Sequence, residues 1–197
     1  MSKIKICGIR RECDIDYINE AMPDYIGFVF AKSKRQVTPE TAAKLCAKLD
    51  KSITPIGVFV NAPIEEILSL YNEGIIHMAQ LHGQENSTYI KELRSQTDCP
   101  LIKALKIDQD FDSSILPTLE VDYFLFDNGA GGTGKTFDWS LMPKTEKPFF
   151  LAGGLNAQNI KAAVSYNPFA LDLSSGVEIN GFKDREKILE IISKIRK

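Results

Sequence analysis

Histidine is scarce in this chain, with two among 197 residues, and the four cysteines form no CxxC pair. Without clustered carboxylates, that composition leaves no set of residues at metal-ligand spacing, and no metal or cofactor is expected. Charge of one sign is also lacking: 24 basic against 26 acidic side chains leave a net charge of −2. Nucleic acid and anionic membrane surfaces are therefore excluded as main partners, and any anion site must be a local pocket. No apolar run is long enough to span a bilayer, and Met1-Ser2-Lys3-Ile4-Lys5 holds no signal core. A cytoplasmic protein with free thiols at Cys7, Cys13, Cys46 and Cys99 is the expectation.

What the chain does have is a steady supply of short apolar runs. With 44% hydrophobic and 25% charged residues it has the balance of a globular protein. Strands are expected at Lys3–Cys7, Tyr25–Phe30, Pro55–Val60, Ile75–Leu81, Leu101–Lys106, Asp122–Asp127, Pro148–Ala152 and Phe169–Leu173. Between them lie helical patterns at Pro39–Leu49, Pro63–Tyr71, Ser87–Gln96 and Asn156–Val164, with a last one at Asp184–Ile195. Thr38-Pro39 and Asn61-Ala62-Pro63 read as helix starts that pair a capping side chain with a first-turn proline. The weakest helical stretch is Ile107–Leu119, with Pro117 near its end.

Eight strands alternating with helices imply a parallel sheet covered by helices. A closed barrel is favoured over an open sheet because chemically loaded residues end many strands rather than clustering at one switch point. The expectation is one α/β domain, a (β/α)8 TIM barrel over residues 1–197, with short loops.

Phe149-Phe150-Leu151-Ala152-Gly153-Gly154 and Phe169-Ala170-Leu171-Asp172-Leu173-Ser174-Ser175-Gly176 each run from a strand into a Gly/Ser turn. Loops after the last two barrel strands often bind phosphate, because glycine lets backbone N–H groups close on an anion. Gly153, Gly154, Ser174, Ser175 and Gly176 are thus candidate phosphate ligands for a small phosphorylated substrate. Cys7 ends the first strand and reads either as a small buried side chain or as a base or nucleophile. Asp127 ends the sixth and reads as a loop cap or a general acid/base. Arg35 sits either in a solvated basic loop or in a pocket gripping a carboxylate with its fork. Gln80 and His82 flank the end of the fourth strand, and Asp172 lies in the last strand. These three are candidate pocket residues.

Gly129-Ala130-Gly131-Gly132-Thr133-Gly134-Lys135-Thr136 formally satisfies the nucleotide-binding P-loop pattern. That pattern needs a helix opening at Lys135-Thr136, whereas Phe137-Asp138-Trp139-Ser140-Leu141-Met142-Pro143 opens one poorly.

Lys5-Ile6-Cys7-Gly8-Ile9, Gly27-Phe28-Val29-Phe30 with Ser33-Lys34-Arg35, Gly57-Val58-Phe59-Val60-Asn61, Gln80-Leu81-His82-Gly83, Phe126-Asp127, Gly131–Trp139, Gly153-Gly154-Leu155 and Asp172–Glu178 together resemble the phosphoribosylanthranilate isomerases, in order, over nearly the whole chain. The resemblance implies a cofactor-free Amadori rearrangement in tryptophan biosynthesis. It implies Asp127 as general acid, Cys7 as general base and Arg35 as the ligand of the anthranilate carboxylate. It also absorbs the Gly-rich stretch as the loop after the sixth strand. The rival readings are a P-loop hydrolase or kinase using Lys135 and Thr136, a non-catalytic phosphate-binding barrel, and a barrel acting on a related aminoketose precursor. Either a monomer or a homodimer fits the sequence.

Overall fold

A computed structural model describes residues 1–129 and 136–196. The strands β1 (Lys3–Cys7), β2 (Tyr25–Val29), β3 (Thr54–Phe59), β4 (Met78–Leu81), β5 (Leu101–Lys106), β6 (Tyr123–Asp127), β7 (Phe149–Leu151) and β8 (Ala170–Leu173) form a closed barrel in sequence order. Every neighbouring pair is parallel, and β8 returns to β1 with Lys5 opposite Asp172.

The helices on the outside are α1 (Glu12–Ala21), α2 (Pro39–Cys46), α3 (Ile64–Asn72), α4 (Ser87–Arg94), α5 (Ile160–Val164) and α6 (Arg185–Arg196). In α6 the buried residues Ile188, Ile191, Ile192 and Ile195 fall on one stripe, the spacing of a helix laid on a sheet. The sequence patterns did not bring out α1. The β5–β6 connection, expected as a weak helix, is one 3-10 turn at Ser113–Thr118 with Pro117 inside it. A proline at that point removes an N–H that a longer α-helix would need. Another 3-10 turn, Trp139–Leu141, follows β6.

Both proline-marked helix starts hold, but with different caps. Thr38 accepts from the Thr41 N–H and caps α2 as expected. Before α3 the cap position is Pro63, with no side-chain cap bond. Asn61 instead takes a left-handed conformation and accepts from the Gln84 N–H, so it joins two loops rather than capping a helix.

Alternation along the strands divides the core in two. Ile4, Ile6, Phe28, Leu81, Phe126 and Leu173 face the helices within the larger cluster. Ile56, Met78, Ile102, Leu125, Phe150 and Ala170 belong to a second cluster, with Tyr25, Tyr123 and Phe169 packed on it. Phe150 meets Tyr123 edge-on at 5.6 Å and Phe169 at the same distance. The inward positions Tyr25, Tyr123 and Phe169 lie at the starts of strands, so aromatic rings plug the N-terminal end of the barrel.

Above this plug the interior is polar. Lys5, completely buried, donates from Nζ to Asp172 Oδ2 at 2.8 Å and to Gln80 Oε1 at 2.6 Å. Since β1 and β4 are not neighbours, the Lys5–Gln80 bond crosses the barrel interior. Burial works against the Lys5 charge, but Asp172 outweighs it and lifts the ammonium above its ordinary value.

Phe150→Ala is expected to cost about 3–5 kcal/mol in urea unfolding while leaving the turnover of folded protein unchanged. Lys5→Met strands Asp172 without its cation, and a comparable loss, about 3–5 kcal/mol, is expected in the same measurement.

Candidate active site

The C-terminal ends of the strands converge on one pocket. Its lining includes Cys7 from β1, Gln80 and His82 at the end of β4, Asp127 from β6, Asp172 from β8, and Arg35 from the loop after β2. Gly153, Gly154, Ser174 and Ser175 close another side. Every candidate except Gly176 is therefore gathered at one mouth. Gly176 lines a neighbouring groove, and a Cβ there would lie 1.9 Å from the Leu155 carbonyl oxygen. Its place is the close contact between the two Gly/Ser loops.

A chain of polar contacts runs across the mouth from β8 to β6. Lys5 can only donate, so it takes the oxygen of the Gln80 amide and leaves Nε2 as the donor toward His82. Gln80 Nε2 lies 2.8 Å from His82 Nδ1, which must then accept. That assignment puts the His82 proton on Nε2, which faces Asp127 Oδ2 at 3.5 Å. The other Asp127 oxygen accepts from the Asn128 N–H at 2.7 Å. Asp172 Oδ1, by contrast, is buried with no hydrogen-bond partner among the described residues. Asp172 as a residue lines the pocket, so an unspent acceptor lies just behind the pocket wall.

Cys7 is half-buried at the same mouth. Burial raises its thiol pKa, and Asp172 adds to the rise, while the Lys5 and Lys183 ammonium groups offset only part of it. The site thus combines a half-buried thiol with a carboxylate across the pocket.

The two Gly/Ser loops supply a different chemistry. Gly153 and Gly154 both have positive φ, +84° and +65°. The Asn156 and Asn159 side-chain amides both donate to the Gly154 carbonyl, at 3.1 and 3.0 Å. A trans peptide holds its N–H opposite its carbonyl, so this grip turns the Leu155 N–H the other way. Among the described residues, the N–H groups of Gly153, Gly154, Leu155, Ser174 and Ser175 donate to no protein acceptor. Unspent, converging backbone donors are what a phosphate needs.

Three residues escaped sequence reasoning. Lys5 had a signal, a lysine at an inward position of an apolar strand, two residues before Cys7. Glu178, which engages Arg35, closes the Asp172–Glu178 motif but drew no role, and Lys183, which bonds the Ser174 carbonyl, had no signal, because the hairpin bearing them is too short to read as strands. The P-loop-like residues 130–135, Lys135 among them, lie outside the described residues. No helix among the described residues is long and apolar enough to cross a membrane.

Comparisons with known proteins agree with this geometry. Residues 4–194 match the family described as N-(5'phosphoribosyl)anthranilate (PRA) isomerase. The N-(5'-phosphoribosyl)anthranilate isomerase of Endomicrobium trichonymphae is 45% identical over all of this chain and 99% of its own length. The crystal structure of phosphoribosyl anthranilate isomerase from Thermotoga maritima superposes with a TM-score of 0.89 at 36% identity, covering 100% of this chain and 99% of that one. A phosphoribosyl anthranilate isomerase solved with reduced 1-(o-carboxyphenylamino)-1-deoxyribulose 5-phosphate superposes with a TM-score of 0.84 at 33% identity, with the same coverage. Barrel, mouth chemistry and full-length identity lead to one assignment: the chain belongs to the N-(5'-phosphoribosyl)anthranilate isomerase family.

Proposed function

We propose that this chain catalyses the Amadori rearrangement of N-(5'-phosphoribosyl)anthranilate to 1-(2-carboxyphenylamino)-1-deoxyribulose 5-phosphate, a step of tryptophan biosynthesis, in the cytoplasm. The observation that carries the reading is the order of groups around the mouth. Asp127 stands on β6, Cys7 on β1, and the unspent N–H groups follow β7 and β8 between them. A phosphate held by the Gly153–Leu155 and Ser174–Ser175 backbone positions the sugar between acid and base.

Asp127 protonates the furanose ring oxygen. The C1–O bond then breaks as the anthranilate nitrogen lone pair forms the C1=N bond of a protonated Schiff base. Cys7, as thiolate, removes the C2 proton, and the electron pair of that C–H bond moves into C1=C2 as the C1=N π pair returns to nitrogen, giving an enolamine. Tautomerisation to the C2 ketone completes the isomerisation, with no net gain or loss of protons or electrons. His82, holding its proton on Nε2, faces the Asp127 carboxylate and orients it. Asp172, which lines the pocket, accepts a ribose hydroxyl, and Arg35 holds the anthranilate carboxylate. The Lys5 ammonium beside Cys7 offsets part of the burial that works against the thiolate the second step requires.

The test is the loss of substrate fluorescence, with phosphoribosylanthranilate generated in situ from anthranilate and phosphoribosyl pyrophosphate by the preceding enzyme. Asp127→Asn is expected to lower kcat about 10²–10⁴-fold with KM little changed. Cys7→Ser should fall in the same direction, also in kcat. Wild-type turnover in either variant would remove that residue from the mechanism. Lys135→Ala should cost at most a moderate part of the activity, whereas its abolition would return the P-loop reading.

A further inference from the structure

Arg35 reaches the pocket across Gly8, whose missing side chain makes the path: a Cβ there would lie 2.4 Å from Arg35 Cδ, and its φ is +88°. The guanidinium that arrives is already engaged. Its Nε donates to Glu178 Oε1 and its Nη2 to Glu178 Oε2, both at 2.7 Å. Glu178 opens a short hairpin, β9 (Glu178–Ile179) and β10 (Phe182–Lys183), between β8 and α6. Across that hairpin Lys183 donates to Glu178 Oε1 at 2.7 Å, and also to the Ser174 carbonyl at 2.9 Å. The Glu178 and Lys183 side chains are 6% and 1% exposed, so water screens neither.

The donor count decides what Arg35 has left. A guanidinium carries five N–H groups in a rigid plane. Glu178 takes the edge formed by Nε and Nη2, leaving both Nη1 protons and one on Nη2. Among the described residues no acceptor bonds Nη1. The free end-on edge can therefore grip a second carboxylate bidentately while the first stays in place.

The charge count explains Lys183. Arg35 with Glu178 alone sums to zero and would draw an anion weakly. Lys183 brings the group to one net positive charge. Burial works against the Glu178 charge, yet Arg35 and Lys183 hold its pKa down at about 2, so the carboxylate stays ionised at any working pH.

We propose that Glu178 and Lys183 are positioning residues that aim the end-on edge of Arg35 at the substrate's ring carboxylate and keep net positive charge there, making the hairpin the determinant of selectivity for a 2-carboxyanilino over an unsubstituted anilino group. The proposal rests on the reading of Arg35 as the carboxylate ligand. The opposite role, Glu178 as a competitor that the substrate must displace, predicts the opposite sign for its removal.

The experiment compares inhibition by reduced 1-(o-carboxyphenylamino)-1-deoxyribulose 5-phosphate and by its counterpart lacking the ring carboxylate, alongside KM and kcat. In Arg35→Met the preference for the carboxylated inhibitor should vanish; if it survives, the carboxylate reading itself fails. In Glu178→Gln the preference should fall about tenfold and KM rise to match, with kcat within about twofold. Because that variant leaves Lys183 buried without its partner, the double variant Glu178→Gln/Lys183→Met is made beside it. It holds the net charge at one and removes the orientation together with the Lys183 bond to the Ser174 carbonyl, and the same loss of preference is expected. Added to Arg35→Met, Glu178→Gln should have no further effect on the preference. An unchanged or tightened carboxylated inhibitor in both Glu178 variants, with Arg35→Met sensitive, would overturn the proposal.

Discussion

The buried ammonium of Lys5 is the constraint around which the rest of the site is arranged. A cation with no exposure must be matched by acceptors, and the barrel supplies Asp172 from β8 and Gln80 from β4. Those two bonds settle more than charge. The pair with Asp172 fixes one carboxylate oxygen and leaves the other buried without a partner among the described residues. The bond to Gln80 selects one of two amide orientations, and with it the His82 tautomer that faces Asp127. One side chain on β1 thus sets the donor and acceptor pattern on three other strands.

Around that polar layer the pocket has two ends of unlike construction. One end presents unspent backbone N–H groups, where two asparagine side chains occupy the Gly154 carbonyl from behind. The other presents a guanidinium whose plane is held by a buried glutamate. Lys183 touches both constructions, since it bonds Glu178 and the Ser174 carbonyl. The distance between the two ends is thereby tied to a single hairpin.

Much of this was legible in the residues. Eight apolar runs give eight strands, and the chain ends that carry Cys7, Asp127 and the Gly/Ser turns do meet at one mouth. Strand-end position is a strong signal because a parallel barrel brings all C-terminal strand ends together whatever the loops do. The less legible parts have physical reasons. Asn61 has the composition of a helix cap, but its side chain is spent on the Gln84 N–H across a loop, a partner far away in sequence. α1 was hidden because Asp14 interrupts its buried stripe of Ile15, Ile18 and Ala21, where it is held by bonds from Arg11 and the Arg10 N–H. Glu178 and Lys183 each look like a surface charge until β8 and the hairpin place them beside Arg35.

The 3-10 turns after β5 and β6 leave the barrel unevenly clad. Elsewhere an α-helix lies against the wall, but on this flank, among the described residues, side chains such as Leu116, Phe137 and Trp139 do the covering. A wall backed by fewer cooperative hydrogen bonds opens more readily than one braced by a helix. The softest sector of the cylinder is therefore the one ending in Asp127, while the β8–β1 seam that carries Cys7 is stitched through its centre by an ion pair. Asp127 is thus mounted on the thinly clad side of the barrel and Cys7 on the braced one.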